Sequence, residues 1–154
     1  MTGLRDLIRR QVRDGRVTWI GLRPARRAEM IVVEAADIQG DGLRGDHGRA
    51  GKRAITLLQA EHIPVIAALC DGPVSASVLR RNVVVSGINL AALRGRQVQL
   101  GGAVVTLTGP CAPCSRMEEA LGPGGYSAVR HHGGWCASVD TPGPLAIGDS
   151  LCAL

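Results

Sequence analysis

Twenty-one glycines cut the apolar residues of this 154-residue chain into short runs, and that punctuation limits its fold more than any other feature. Most of the runs suit a strand, and glycine supplies the turns between strands at little steric cost. Residues 17–22, 30–35, 53–58 and 83–85 read as strands. Residues 97–100 and 103–108 flank Gly101-Gly102, a two-residue hairpin signal. Residues 135–139 and 145–151 close the chain as strands, separated by the turn residues 140–144. Helical spacing is confined to four places. Residues 2–13 carry Leu4, Leu7, Ile8 and Val12 on one face; residues 60–69 hold Pro64 in a first turn; residues 74–79 form a third short helix; and a fourth follows Cys114. Residues 37–52 form a glycine- and charge-rich loop with no apolar periodicity. The pattern predicts a mainly β, α+β fold: a barrel-like, mostly antiparallel sheet with a few decorating helices.

The length favours one domain, residues 1–154, able to bury a core without disulfide staples. No apolar run approaches a membrane span, and the N-terminus lacks the apolar stretch and cleavage site of a signal peptide, so a soluble cytoplasmic protein is expected. Five cysteines, an odd number, do not form a secreted disulfide framework. In a reducing compartment the close pair Cys111 and Cys114 reads as metal-binding or catalytic, whereas Cys70 and Cys152 lie in apolar surroundings and read as small core residues. A net charge of +5 suits an anionic ligand. Nucleic acid is the weaker reading: the basic residues are scattered, and two Trp, one Tyr and no Phe give no platform for stacking single-stranded bases.

The loop Cys111-Ala112-Pro113-Cys114 follows a strand and precedes a helix. Pro110 and Pro113 hold their preceding residues extended, which stiffens the loop. Ser115 and Glu118 have capping-box spacing, so Cys114 is expected one residue before the cap, near unpaired N–H groups and Arg116. That setting favours the thiolate, the form that attacks or ligates. Three readings compete: a dithiol switch, a structural zinc site and a plain pair of half-buried thiols in a turn. A dithiol switch wants a thioredoxin-like α/β context, which this β-rich chain lacks. A structural zinc site needs two more ligands, for which His131, His132 and Cys136 are the candidates, at irregular spacing.

Other polar groups compete with bland alternatives. Arg80, Arg81 and Asn82 offer planar donors that suit a phosphate, or form a cationic helix end with Asn82 capping a turn. Asp46 and His47 lie in the long glycine loop, facing a ligand or serving a local turn. Lys52 and Arg53 extend an anion-binding surface or simply stay solvated. Adjacent side chains at His131 and His132 point apart and do not share a metal. Met117 reads as core, and Glu118 as a cap.

Taken in order, these segments resemble the MOSC domain, named after the C-terminal part of molybdenum cofactor sulfurases. The resemblance rests on Gly45-Asp46 and the loop around them, Arg53-Ala-Ile-Thr-Leu-Leu58 with Glu61, Arg80-Arg81-Asn82-Val83 through Leu90, Thr108-Gly-Pro-Cys111-Ala-Pro-Cys114-Ser-Arg-Met117-Glu118, and Gly148-Asp149. It spans residues 20–151 and is more specific than any single motif.

The resemblance implies a β-barrel-like mixed fold and a site for the molybdenum cofactor, a pterin dithiolene with a terminal phosphate. It assigns Cys114 as the molybdenum ligand and catalytic thiol. Cys111, Arg80, Arg81, Asn82, Asp46, His47 and Arg53 are the expected cofactor contacts. In the amidoxime-reducing relatives such a site reduces N-hydroxylated compounds; in the sulfurase relatives the domain is associated with cofactor binding and persulfide delivery. The sequence lacks the β-barrel partner domain of the amidoxime-reducing group and any flavin, haem or iron–sulfur motif, so reduction would require an electron-transfer partner. A carrier role would instead use a Cys114 persulfide supplied by a cysteine desulfurase.

Overall fold

The computed structural model describes residues 2–154. The chain opens with a six-residue helix, α1 (Leu4–Arg9), shorter than its periodicity predicts. None of its residues is buried; Leu4, Leu7 and Ile8 stay exposed. Strand β1 (Gly15–Leu22) is followed by β2 (Ile31–Val33), β3 (Ala35–Gln39) and β4 (Gly42–Leu43). Next come β5 (Ile55–Gln59), helices α2 (His62–Ala68) and α3 (Ala76–Leu79), β6 (Val83–Ser86) and a 3-10 turn at Leu90–Leu93. Strands β7 (Gln97–Leu100) and β8 (Ala103–Pro110) form the hairpin signalled by Gly101-Gly102. Helices α4 (Ser115–Leu121) and α5 (Gly125–Val129) precede β9 (Trp135–Thr141), β10 (Gly143–Ala146) and β11 (Ser150–Ala153).

Seven strands in the order β11-β7-β8-β9-β5-β6-β1 close into a barrel through the pairing of β1 with β11, and β2 extends β1 outward. Only β5 and β6 run parallel; the other pairs are antiparallel, as the sequence predicts. A parallel pair needs a crossover, which α2 and α3 provide. This explains why β5 and β6 are almost wholly buried. Ile55, Leu57, Val83 and Val85 point into the barrel, while Leu58 and Val84 face outward against Ile66, Leu79, Met117 and Leu121 of the helices. The alternation of period two is intact, but both faces are covered.

Three expectations about strands and loops are corrected. Part of the glycine-rich stretch 37–52 is strand: β3 and β4 pair, burying Ile38 and Leu43, with β10 on the other side of β3. Two buried apolar residues around a tight turn are too few to register as periodicity. Residues 30–35 do not form one strand but divide between β2 and β3 at Glu34. Residues 145–151 also divide, because Gly148 takes a left-handed φ of +95° and Asp149 accepts a hydrogen bond from the Ala146 N–H at 2.9 Å. The chain thereby leaves the small sheet and re-enters the barrel.

The capping box is also corrected. Cys114, not Ser115, is the N-cap of α4, and it makes no side-chain cap bond. Glu118 Oε1 instead accepts from the N–H groups of Gly124 and Tyr126, at 2.9 and 3.1 Å. It thus caps α5, a helix absent from the sequence reading, whose own N-cap is Gly124 and has no side chain to offer. Met117 is core, as expected, whereas Cys70 and Cys152 are only half-buried.

Candidate functional site

The site is built where the strand ends of β1, β5, β6, β8 and β9 meet the loop carrying Cys111 and Cys114. Asn82 begins this arrangement one residue before β6. It is fully buried, and every hydrogen-bonding group of its side chain is used. Oδ1 accepts from the Thr56 N–H (3.1 Å) and Oγ1 (3.2 Å), and Nδ2 donates to Gly21 O and to Asp46 Oδ1, both at 3.1 Å. Three segments distant in sequence are thereby tied together, and an unpaired amide there would be costly.

Asp46 takes the charge of this knot. Its carboxylate accepts from the Arg23 backbone N–H (2.7 Å), Nε (3.1 Å) and Nη2 (2.9 Å), and from the Gly48 N–H (2.9 Å). Burial raises its affinity for a proton, but the hydrogen bonds and charge of Arg23, helped by Asn82, outweigh that and hold its pKa below the ordinary 3.8. The two-point grip fixes the Arg23 guanidinium in the wall of the pocket.

That pocket, of about 290 Å³, is lined by Arg23, Arg53, Thr56, Arg81, residues 111–114 and Cys136. Arg81 is held by Nε donating to Gly133 O at 2.6 Å. Cys114 is exposed, while Cys111 and Cys136 are buried with their Sγ atoms 3.2 Å apart. These two thiols titrate as a pair. The hydrogen bond from Cys111 lowers the Cys136 pKa to about 6 against the opposing effect of burial, with further help from Arg53, Arg81 and Arg23. The same hydrogen bond, together with burial, pushes Cys111 far up. The two shifts run in opposite directions, downward for Cys136 and upward for Cys111.

A larger cleft of about 990 Å³ adjoins the pocket, and Arg23 and Arg53 line both. The rest of its lining includes Arg26, His47, Arg49 and Lys52, and no carboxylate. An exposed soft thiol and a cationic cleft are thus joined by two arginines.

Of the residues singled out in the sequence, Cys111, Cys114, Arg53 and Arg81 meet in the pocket, and His47 and Lys52 lie in the cleft. Asp46 and Asn82 stand behind the wall and position it. Arg80 turns away: it adopts a left-handed φ of +54° as the C-cap of α3 and donates to the carbonyls of Ala25 and Ala28. Among the described residues no three His, Cys, Asp or Glu side chains are placed to share a metal, so the zinc set does not assemble. His132 instead packs edge-on against His62, with ring centroids 5.4 Å apart. Sequence reasoning missed Arg23, Thr56 and the role of Cys136. The Asp46 contact and the β8–β9 register that reveal them are long-range facts with no local signal.

The profile of the MOSC domain matches residues 43–152, more than half of the chain. The chain belongs to the MOSC domain family. This family is associated with molybdenum cofactor sulfurase-like proteins. Solved structures show the same fold. The YuaD protein of Bacillus subtilis superposes with a TM-score of 0.77 at 19% identity, over 90% of this chain and 94% of that one. YiiM from Geobacillus stearothermophilus gives 0.74 at 17% identity, over 91% of this chain and 75% of that one. YiiM from Escherichia coli gives 0.67 at 20% identity, over 90% and 69%. No curated protein matches the chain. Among the described residues, no helix of this MOSC protein is long and apolar enough to cross a membrane.

Proposed function

We propose that this MOSC protein binds the molybdenum cofactor, with Cys114 as the thiolate ligand of the metal and the adjoining cleft as the seat of the phosphate. The observation that carries the reading is the continuity of the two cavities through Arg23 and Arg53. The donor set suits such a group at both ends: a soft thiol for the metal, and guanidinium and ammonium groups for the phosphate. Arg49, Lys52 and His47 supply donors along the cleft, and Arg53 bridges to the thiol end. Arg23 is kept in place by Asp46, so little of its motion is lost on binding. When bound, the cofactor supplies a redox-active molybdenum centre. By resemblance to the amidoxime-reducing relatives, the activity we propose is reduction of an N-hydroxylated compound, with electrons from a partner protein.

The exposure of Cys114 also fits a second reading, in which it carries a persulfide received from a cysteine desulfurase. Expression in a host that makes the cofactor, followed by molybdenum and pterin analysis, separates the two. The first reading expects both to co-purify with the protein. A protein free of both, but persulfidated at Cys114 by a desulfurase, would favour the second.

A further inference from the structure

Of the pocket's three cysteines, only Cys114 is the proposed metal ligand. Cys111 immediately follows β8, and its N–H donates to Gly134 O at 2.8 Å, which carries the β8–β9 ladder one step further. Cys136 lies two residues beyond Gly134 on β9, on the same face of the ladder. A register shift between Leu107 and Gly109 accompanies this end of the ladder, and the two Sγ atoms lie 3.2 Å apart. A covalent S–S bond is about 2.05 Å long, so closure needs a movement of about 1.1 Å. No other pair of thiols among the described residues is in contact. Cys114, although three residues from Cys111, is exposed at the start of α4.

We propose that Cys111 and Cys136 form a reversible oxidative modification site for hydroperoxides, in which Cys136 is the attacking sulfur and Cys111 the resolving one. The Cys136 sulfur attacks the O–O bond of the hydroperoxide, takes one oxygen as a sulfenic acid and releases the other as the alcohol, or as water from hydrogen peroxide. The Cys111 sulfur then attacks the Cys136 sulfur. The S–S bond forms, the S–O bond breaks, and the oxygen leaves as water with the Cys111 proton. Two thiols are oxidised by two electrons, and one peroxide is reduced.

The roles follow the surroundings: the two sulfurs share a hydrogen bond, and the guanidinium groups of Arg53, Arg81 and Arg23 favour the thiolate form of Cys136. Cys111 and Cys136 both line the pocket, whose volume of about 290 Å³ exceeds that of a peroxide. A dithiol reductant would reverse the bond by exchange. The bridge would tie the loop carrying Cys114 to β9. None of this depends on whether the pocket takes the cofactor.

The test uses the purified full chain without cofactor. It is treated with a small excess of hydrogen peroxide, quenched, unfolded and alkylated without reductant, and its peptides are fragmented. The expected result is loss of two of the five thiols, a peptide pair joined specifically through Cys111 and Cys136, and full recovery with dithiothreitol. In Cys111→Ser protein, dimedone should trap a sulfenic acid on Cys136. A bridge from Cys111 to Cys114, oxidation confined to Cys114, or retention of all five thiols would each overturn the proposal.

Discussion

Asp46 and Asn82 stand behind the pocket, the loop from Cys111 to Cys114 forms part of its wall, and the two regions treat their polar atoms in opposite ways. Behind the wall every donor and acceptor is matched. Asn82 makes four contacts through its side-chain amide, and Asp46 receives four N–H groups from Arg23 and Gly48, as well as one from Asn82. In the wall the Cys114 thiol is exposed, and so is Arg53 beside it. A saturated network has nothing left to offer a ligand; it fixes positions. Unsaturated groups held by such a network are the ones able to bind.

This contrast makes stability and binding separable by mutation. The largest loss of stability is expected for Asp46→Ala. It strands Arg23, whose side chain is only 16% exposed, without its counter-charge, and should cost about 3 kcal/mol in denaturant unfolding. The pH dependence has a definite sign. The Asp46 carboxyl sits below its ordinary 3.8 in the folded protein, so its contribution is complete well above that value and is lost as the pH falls through the folded pKa. The stability gap between the native protein and Asp46→Asn should therefore be constant near neutrality and narrow in acid below 3.8. A gap that widened in acid would mean that Asp46 is not the charged anchor.

Next in size is Asn82→Ala. It leaves the Thr56 N–H and Gly21 carbonyl unpaired in a dry environment and should cost about 2 kcal/mol by the same measurement. Smallest is Cys114→Ala, an exposed position outside the network, where the change should stay within about 0.5 kcal/mol. If Cys114→Ala destabilised as much as Asn82→Ala, the division into scaffold and wall would fail.

The wall was easier to find in the sequence than the scaffold. Cys111 and Cys114 announce themselves by spacing, and Arg53 and Arg81 by the segments they introduce, so four of the pocket's residues were legible. Asn82 and Asp46 were visible as polar residues beside apolar strands, but their use was not. Whether a buried amide faces a ligand or a carboxylate depends on β1, β5 and the glycine loop converging on it, over sequence separations of 26 to 61 residues. Arg23 was lost for the same reason.

The fold divides along similar lines. The β7–β8 hairpin carries its own turn and was clear. The closing pairing of β1 with β11, and the small sheet of β10, β3 and β4, depend on partners far along the chain. Glu118 shows how local rules mislead: its spacing from Ser115 fits a capping box, yet the bare N-terminus of α5 claims the carboxylate.

The central claim is that one pocket has a thiol end for molybdenum and a cationic end for phosphate. It is tested most directly by expressing the native protein, Cys114→Ala and an Arg53→Ala/Lys52→Ala variant in a cofactor-replete host, and measuring molybdenum and pterin separately in each. The native protein should carry both in equal amounts. Cys114→Ala should retain less of both, because the metal stays on the pterin dithiolene, and the cleft variant should lose both almost completely. Equal loading of all three proteins, or none in the native one, would contradict it.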